Sequence, residues 1–288
     1  MTTTTYAPGT RLMERVVGPL GSIRNIEELN YAVDHFWDGF DFECGERVVE
    51  YNTMDICQAF VDYTYILHAA RDYTPLSKLI MRAEASREVL DLFTSISDMV
   101  LHDPNSPLRN DEMYIYILER LVESPLLDEY DRLVPEHDLH MVKQNRIGHK
   151  ANDVVYTLKD GTTGHLHDID ADYTILMFNN PDCPTCREII DEIGASPMLN
   201  ELQELGRLKV IALYPDADLE AWHRYHPQMP RRWIVSYDDG GIIDKSDLYD
   251  LRAIPSLYLL DGDKRVMIKD GIDVALIEDV IAMAESQM

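Results

Sequence analysis

"YTILMFNNPDCPTCREIIDEI", residues 173 to 193, runs from an apolar stretch through two cysteines separated by two residues into an amphipathic stretch. Tyr173 to Phe178 is short, continuous and apolar, the pattern of a strand buried on both faces. From Arg187 onward, Ile189, Ile190 and Ile193 fall on one side of a short helix. Pro184 fits the first turn of that helix, where a missing N–H leaves nothing unpaired. Cys183 therefore sits at the N-terminus of a helix that leaves a buried strand.

Three chemistries suit Cys183-Pro184-Thr185-Cys186: a redox pair, half of a zinc site, or two packed thiols. A thiolate, not a thiol, attacks a disulfide, and a helix N-terminus favours the anion through its free N–H groups and partial positive charge. Cys183 is then the nucleophile, and Cys186, one turn on, resolves the mixed disulfide. Asp182 opposes this, since a neighbouring negative charge raises a thiol pKa. Zinc needs four ligands. Cys44 and Cys57 are more than a hundred residues away without that spacing, and the nearer His165 and His167 belong to a half-exposed hairpin. The redox reading is preferred, with no metal and no cofactor.

Around this unit short β-type runs alternate with helical ones. Val154–Leu158 and "TGHLHDI", joined across Lys159 to Gly161, read as a hairpin. Strands are expected at Leu208–Tyr214, Trp233–Tyr237, Ser256–Leu260 and Arg265–Lys269, with helical stretches near Asp218–His226, Lys245–Arg252 and Val274–Ser286. Together they describe one α/β domain with a mixed sheet. Trp222 and Trp233 read as packing residues, and "YDDGG" (237–241) and "DGDK" (261–264) as turns, because neither has a calcium loop's alternating acids and closing Glu.

The first half reads as helical throughout. Val89, Phe93, Ile96 and Val100 line one helix face, and Met113, Ile117 and Leu121 another. "HDPNSPLRNDE" between them breaks one helix and caps the next; it could also offer a partner surface, the less favoured reading. Further helices are expected around Ile26–Trp37, Met54–Ala69 and Asp128–Gln144, and the character changes near residue 147. Cys44 and Cys57 read as buried thiols, with pairing in an oxidising compartment left open.

At 288 residues the chain suits two domains. Its formal charge of −26 argues against a nucleic-acid partner, because a phosphate backbone needs a basic face. No apolar run reaches the ~18 residues that span a bilayer. The start, Met-Thr-Thr-Thr-Thr-Tyr, lacks a basic-then-apolar signal segment, so either the protein is intracellular or an export segment is missing from this sequence.

"YDLRAIPSLYLLD" (249–261) adds a proline at the start of a buried strand. With it, residues 147–288 resemble the thioredoxin superfamily, and the preceding hairpin resembles its TlpA-like branch. The resemblance implies a cis-proline at Pro255 packed beside the cysteines. It also implies a substrate segment pairing with the backbone of Ile254, with Pro184 and Thr185 as further substrate-contacting residues. Over nearly its whole length the chain resembles bacterial envelope proteins that join an N-terminal helical domain of unknown function to a thioredoxin-like domain. The stretches carrying this are "HFWDGFDF" (35–42), "DPNSPLRNDEMYI" (103–115), "NRIGHKANDVVYTL" (145–158) and the two motifs above.

The resemblance implies a helical domain over 1–146 and a thioredoxin-like domain over 147–288. It also implies a periplasmic or envelope location in a Gram-negative bacterium rather than the cytoplasm, and leaves room for a lipid anchor on the precursor and for a homodimer. The implied function is thiol-disulfide oxidoreduction on protein clients, with a redox partner protein. The alternative is a non-catalytic binding protein that works through its helical domain. Two departures stand out. The pair encloses Pro-Thr rather than Gly-Pro, and the strand position where thioredoxins carry a buried acid is Met177, leaving the proton acceptor for Cys186 unassigned. Asn180 replaces the Thr or Ser that peroxide-reducing relatives need, which speaks against a peroxidase. The direction of redox action, the client and the electron donor are not legible.

Overall fold

A computed structural model describes residues 23–286, and the chain divides after Val142 into two compact units. No helix among the described residues is long and apolar enough to cross a membrane.

The first unit is helical: α1 (Ile26–His35), α2 (Thr53–Ala70), α3 (Thr74–Ala83), α4 (Arg87–Leu101), α5 (Asp111–Val122) and α6 (Leu133–Val142). Its helices start where short polar side chains meet orphan N–H groups. Asn25 accepts from the Glu28 N–H, Ser86 from Val89, and Asn110 from Met113. The last of these is the capping that "HDPNSPLRNDE" leads one to expect. The long helical stretch expected over Asp128–Gln144 is shorter, beginning only at Leu133. Ahead of it, the Asp128 carboxylate accepts the N–H groups of Tyr130 and Asp131 and holds that segment as a turn. The core is aromatic at its centre. Phe93 packs edge-on against Trp37 and Phe40 and stacks on Phe42, with ring centroids 5.2 to 5.6 Å apart.

The second unit is a seven-stranded mixed sheet in the order β2-β1-β5-β4-β3-β6-β7. Its strands are β1 (Val155–Thr157), β2 (Thr163–His165), β3 (Tyr173–Phe178), β4 (Leu208–Tyr214), β5 (Ile234–Tyr237), β6 (Ser256–Asp261) and β7 (Val266–Gly271). β4 runs parallel to β3 and β5, while β3–β6, β6–β7, β1–β2 and β1–β5 are antiparallel. The helices are α7 (Pro184–Ala195), α8 (Pro197–Glu204), α9 (Leu219–Tyr225), α10 (Ile242–Lys245) and α11 (Val274–Glu285). Every residue of β3 is buried, as its unbroken apolar run requires. Tyr173, Ile175 and Met177 face one core with Cys186 and Ile189, whereas Leu176 and Phe178 face another with Tyr249 and Tyr258.

The hairpin β1–β2 turns at Gly161 in the left-handed region, at φ +84°. At Gly164 a Cβ would stand 2.5 Å from the Tyr156 ring, so only glycine lets that ring lie flat on β2. The helix expected over Lys245–Arg252 is displaced to α10. Both carboxylate oxygens of the buried Asp238 take N–H groups at its start, from Ile242 at 3.0 Å and Ile243 at 2.9 Å. That bidentate cap sets the helix start, and the chain is already turning at Asp247, φ +49°. Trp222 and Trp233 are both buried.

Candidate active site

The end of β3 delivers the cysteines to the start of α7. Cys183 is the cap residue of that helix, in extended backbone geometry, and Pro184 occupies the first turn. The Cys186 N–H donates to the Cys183 sulfur at 3.0 Å, so a helix-terminal donor points at the sulfur, where negative charge would be favoured. The two cysteines are paired as a disulfide, with Cα atoms 5.2 Å apart. They are unequal: Cys183 is half-buried and Cys186 has no exposed surface. Pro184 and Thr185, between them, are exposed.

The strand that follows in the sheet brings the second motif alongside. β3 and β6 pair with Phe178 opposite Ser256, which sets residues 254 and 255 at the level of the cysteines. The Ile254–Pro255 peptide is cis, Pro255 is buried, and the Ile254 carbonyl oxygen lies 3.8 Å from the Cys183 sulfur. The Ser256 hydroxyl donates to Asp270 at 2.6 Å, tying the start of β6 to β7.

The surroundings are acidic and polar on the outside, apolar inside. Asp182 is exposed, and Asn180 donates to Asp216 at 2.8 Å. Burial, and then the carboxylates of Asp216, Asp218 and Asp182, push the Tyr214 phenol up, which places these acids around one end of β4. A shallow cavity of about 330 Å³ at the first turn of α7 is lined by Asp182, Pro184, Arg187, Glu188 and Asp191. Beneath, Met177 is fully buried in the core that holds Cys186. His165 and His167 take no part: His165 pairs with Asp153 at 2.7 Å, and His167 meets the Ala151 carbonyl at 2.8 Å.

A crystal structure of a thioredoxin-like protein from Bacteroides caccae is 33% identical, spans 98% of this chain and 99% of that one, and superposes with a TM-score of 0.85. This chain belongs to the thioredoxin-like proteins. Residues 21–145 match the family model described as a domain of unknown function, DUF5106. The C-terminal domain of an uncharacterized protein from Bacteroides fragilis is 41% identical over 48% of this chain and 98% of that one, with a TM-score of 0.47. The thioredoxin domain of a thiol-disulfide oxidoreductase from Bacteroides vulgatus is 18% identical over 48% and 97% of the two chains, with a TM-score of 0.42. No curated protein matches the chain.

Some contacts of this thioredoxin-like site were not legible in the sequence. The Asn180–Asp216 and Ser256–Asp270 bonds join residues 36 and 14 positions apart through the sheet. Asparagine, serine and aspartate in turns are ordinary capping residues, and only the strand register reveals which pairs meet.

Proposed function

We propose that this protein is a thiol-disulfide oxidoreductase acting on protein thiols and disulfides through Cys183 and Cys186. The observation that carries the reading is the asymmetry of the pair: a half-exposed sulfur at a helix N-terminus over a fully buried one. In the oxidising direction a client thiolate attacks the Cys183 sulfur, the Cys183–Cys186 bond breaks, and Cys186 leaves carrying the electron pair. A second client thiolate then attacks the client sulfur of the mixed disulfide and expels Cys183 as a thiolate. The client loses two electrons and the enzyme gains them; protons taken from solvent neutralise the thiolates. The reducing direction is the same path reversed, with Cys183 attacking and Cys186 resolving.

Ile254 and Pro255, with Pro184 and Thr185 beside the sulfur, are the surface on which a client segment would rest. Pro184 and Thr185 are exposed and Ile254 is half-buried, an open surface that suits an extended polypeptide more than a small molecule. Met177 is buried beside Cys186, so the position that would hold an acid offers no proton acceptor to that thiol. Stable disulfides in client proteins are characteristic of oxidising compartments, and we place the protein outside the cytoplasm on that ground.

The test is capture. Cys186→Ser protein exposed to a disulfide-bearing client should accumulate a mixed disulfide at Cys183, seen on a non-reducing gel and by mass spectrometry. No captured species, together with Cys183 alkylating no faster than Cys57, would overturn the proposal.

A further inference from the structure

The helical unit brings together three side chains that the thiol chemistry does not use. Asp98 and His102 stand four residues apart at the end of α4, hence on one face of it, and Asp138 stands on α6. One carboxylate oxygen of each aspartate and one ring nitrogen of His102 all lie within 4.8 Å of one another. His102 opens the "HDPNSPLRNDE" stretch and is 2% exposed. Asp138 is half-buried, and Asp98 is exposed.

The surrounding structure fixes these groups. The Asp98 carbonyl receives the N–H groups of both His102 and Asp103 at 2.9 Å, which closes the last turn of α4 and sets the spacing of the two side chains. From α5, Tyr114 serves both of them. Its ring stacks on the His102 imidazole at a centroid distance of 4.6 Å, and its hydroxyl donates to Asp98 at 3.4 Å. The His102 Nε2 and an Asp138 oxygen stand 3.7 Å apart, too far for a hydrogen bond. Two donor atoms on one tetrahedral ion with ~2.1 Å bonds stand about 3.4 Å apart, so this gap is close to what a shared cation requires.

We infer that Asp98, His102 and Asp138 bind a divalent zinc ion that clips α4 to α6. An imidazole nitrogen disfavours calcium and magnesium, which take oxygen ligands, whereas zinc accepts one His together with carboxylates. A neutral imidazole and two carboxylates carry two negative charges, which the ion offsets. Without a cation, two carboxylates meeting beside a buried ring repel each other. The fourth position on zinc falls to water, and the exposed Asp98 gives the ion its way in.

The test uses the full-length protein with Cys183 and Cys186 oxidised, freed of metal by a chelator that is then removed, and titrated calorimetrically with Zn²⁺ in excess Mg²⁺. One equivalent should bind with a Kd of about 10 µM or tighter. Asp98→Asn and Asp138→Asn should each weaken that binding about tenfold or more. Zn²⁺ should raise the unfolding temperature of the wild type and not that of either variant. Co²⁺ in place of Zn²⁺ should bind without a thiolate-to-metal charge-transfer band, which separates this site from Cys44 and Cys57. Asp98 is exposed, so its variant keeps the fold and decides the matter alone if Asp138→Asn unfolds. Binding weaker than ~10 µM, binding unchanged in Asp98→Asn, or a thiolate band at the first equivalent of Co²⁺ would overturn the inference.

Discussion

Two cysteines in this chain head helical turns, one in each unit, and their surroundings are opposite. Cys44 precedes a six-residue 3-10 turn, Gly45–Glu50, and its side chain accepts no cap hydrogen bond. Burial pushes its thiol up, and Asp41 adds to the push. Cys183 precedes the twelve-residue α7 and receives the Cys186 N–H on its sulfur. The second cysteine of the helical unit, Cys57, also has its thiol raised by burial, whereas Cys186 sits next to its partner. A helix start is therefore common to both sulfurs. The reactivity proposed for Cys183 rests on an N–H aimed at it, access from outside, and a second sulfur within reach.

The largest effect expected from this contrast is on turnover. Cys183→Ser should reduce protein-disulfide exchange, followed by insulin reduction, by at least ~10³-fold, because nucleophile removal stops the chemical step. Cys44→Ser should leave it within about twofold; an equal loss from both variants would break the comparison. Next comes stability. Phe93 is the hub of the aromatic core around Trp37, Phe40 and Phe42, and Phe93→Ala should cost about 3–5 kcal/mol in urea unfolding of the helical unit. A loss below about 1 kcal/mol would mean that this core collapses around the gap.

A smaller difference appears in alkylation of the reduced protein across pH. Only thiolate reacts, so raised pKa values keep Cys44 and Cys57 slow until the pH passes the ordinary thiol value of about 8.5. Cys183 should react at lower pH, which iodoacetamide labelling read by mass spectrometry will show. The smallest effect belongs to an exposed pair. The Asp153 carboxylate raises the His165 pKa, so this pair's stabilisation is complete below about pH 6.5 and is lost as pH rises through the folded value. An NMR titration should find His165 above its ordinary value in the native protein and back near it in Asp153→Asn.

Much of this was legible in the sequence. The apolar run 173–178 reads as a strand buried on both faces and is one, and Pro184 after Cys183 marked the start of α7. Helix faces such as Val89, Phe93, Ile96 and Val100 turn into the core as their spacing requires, since periodicity survives whatever they pack against. Features set by distant contacts were not legible. α10 begins where the Asp238 carboxylate receives two N–H groups. α8 follows α7 after a single residue, Ser196, whose hydroxyl accepts the Leu199 N–H. The meeting of Asp138 with Asp98 and His102 is likewise invisible in a list of residues, because it joins two helices that are not neighbours in the chain.

The redox account meets its most direct test in the reduction potential of the Cys183–Cys186 couple, read by alkylation and mass spectrometry in glutathione buffers of graded poise. The account predicts a reversible two-electron transition between roughly −270 and −120 mV, the span of known thiol-disulfide exchange proteins. A pair that stays oxidised below about −300 mV, in the manner of a structural bridge, would contradict it.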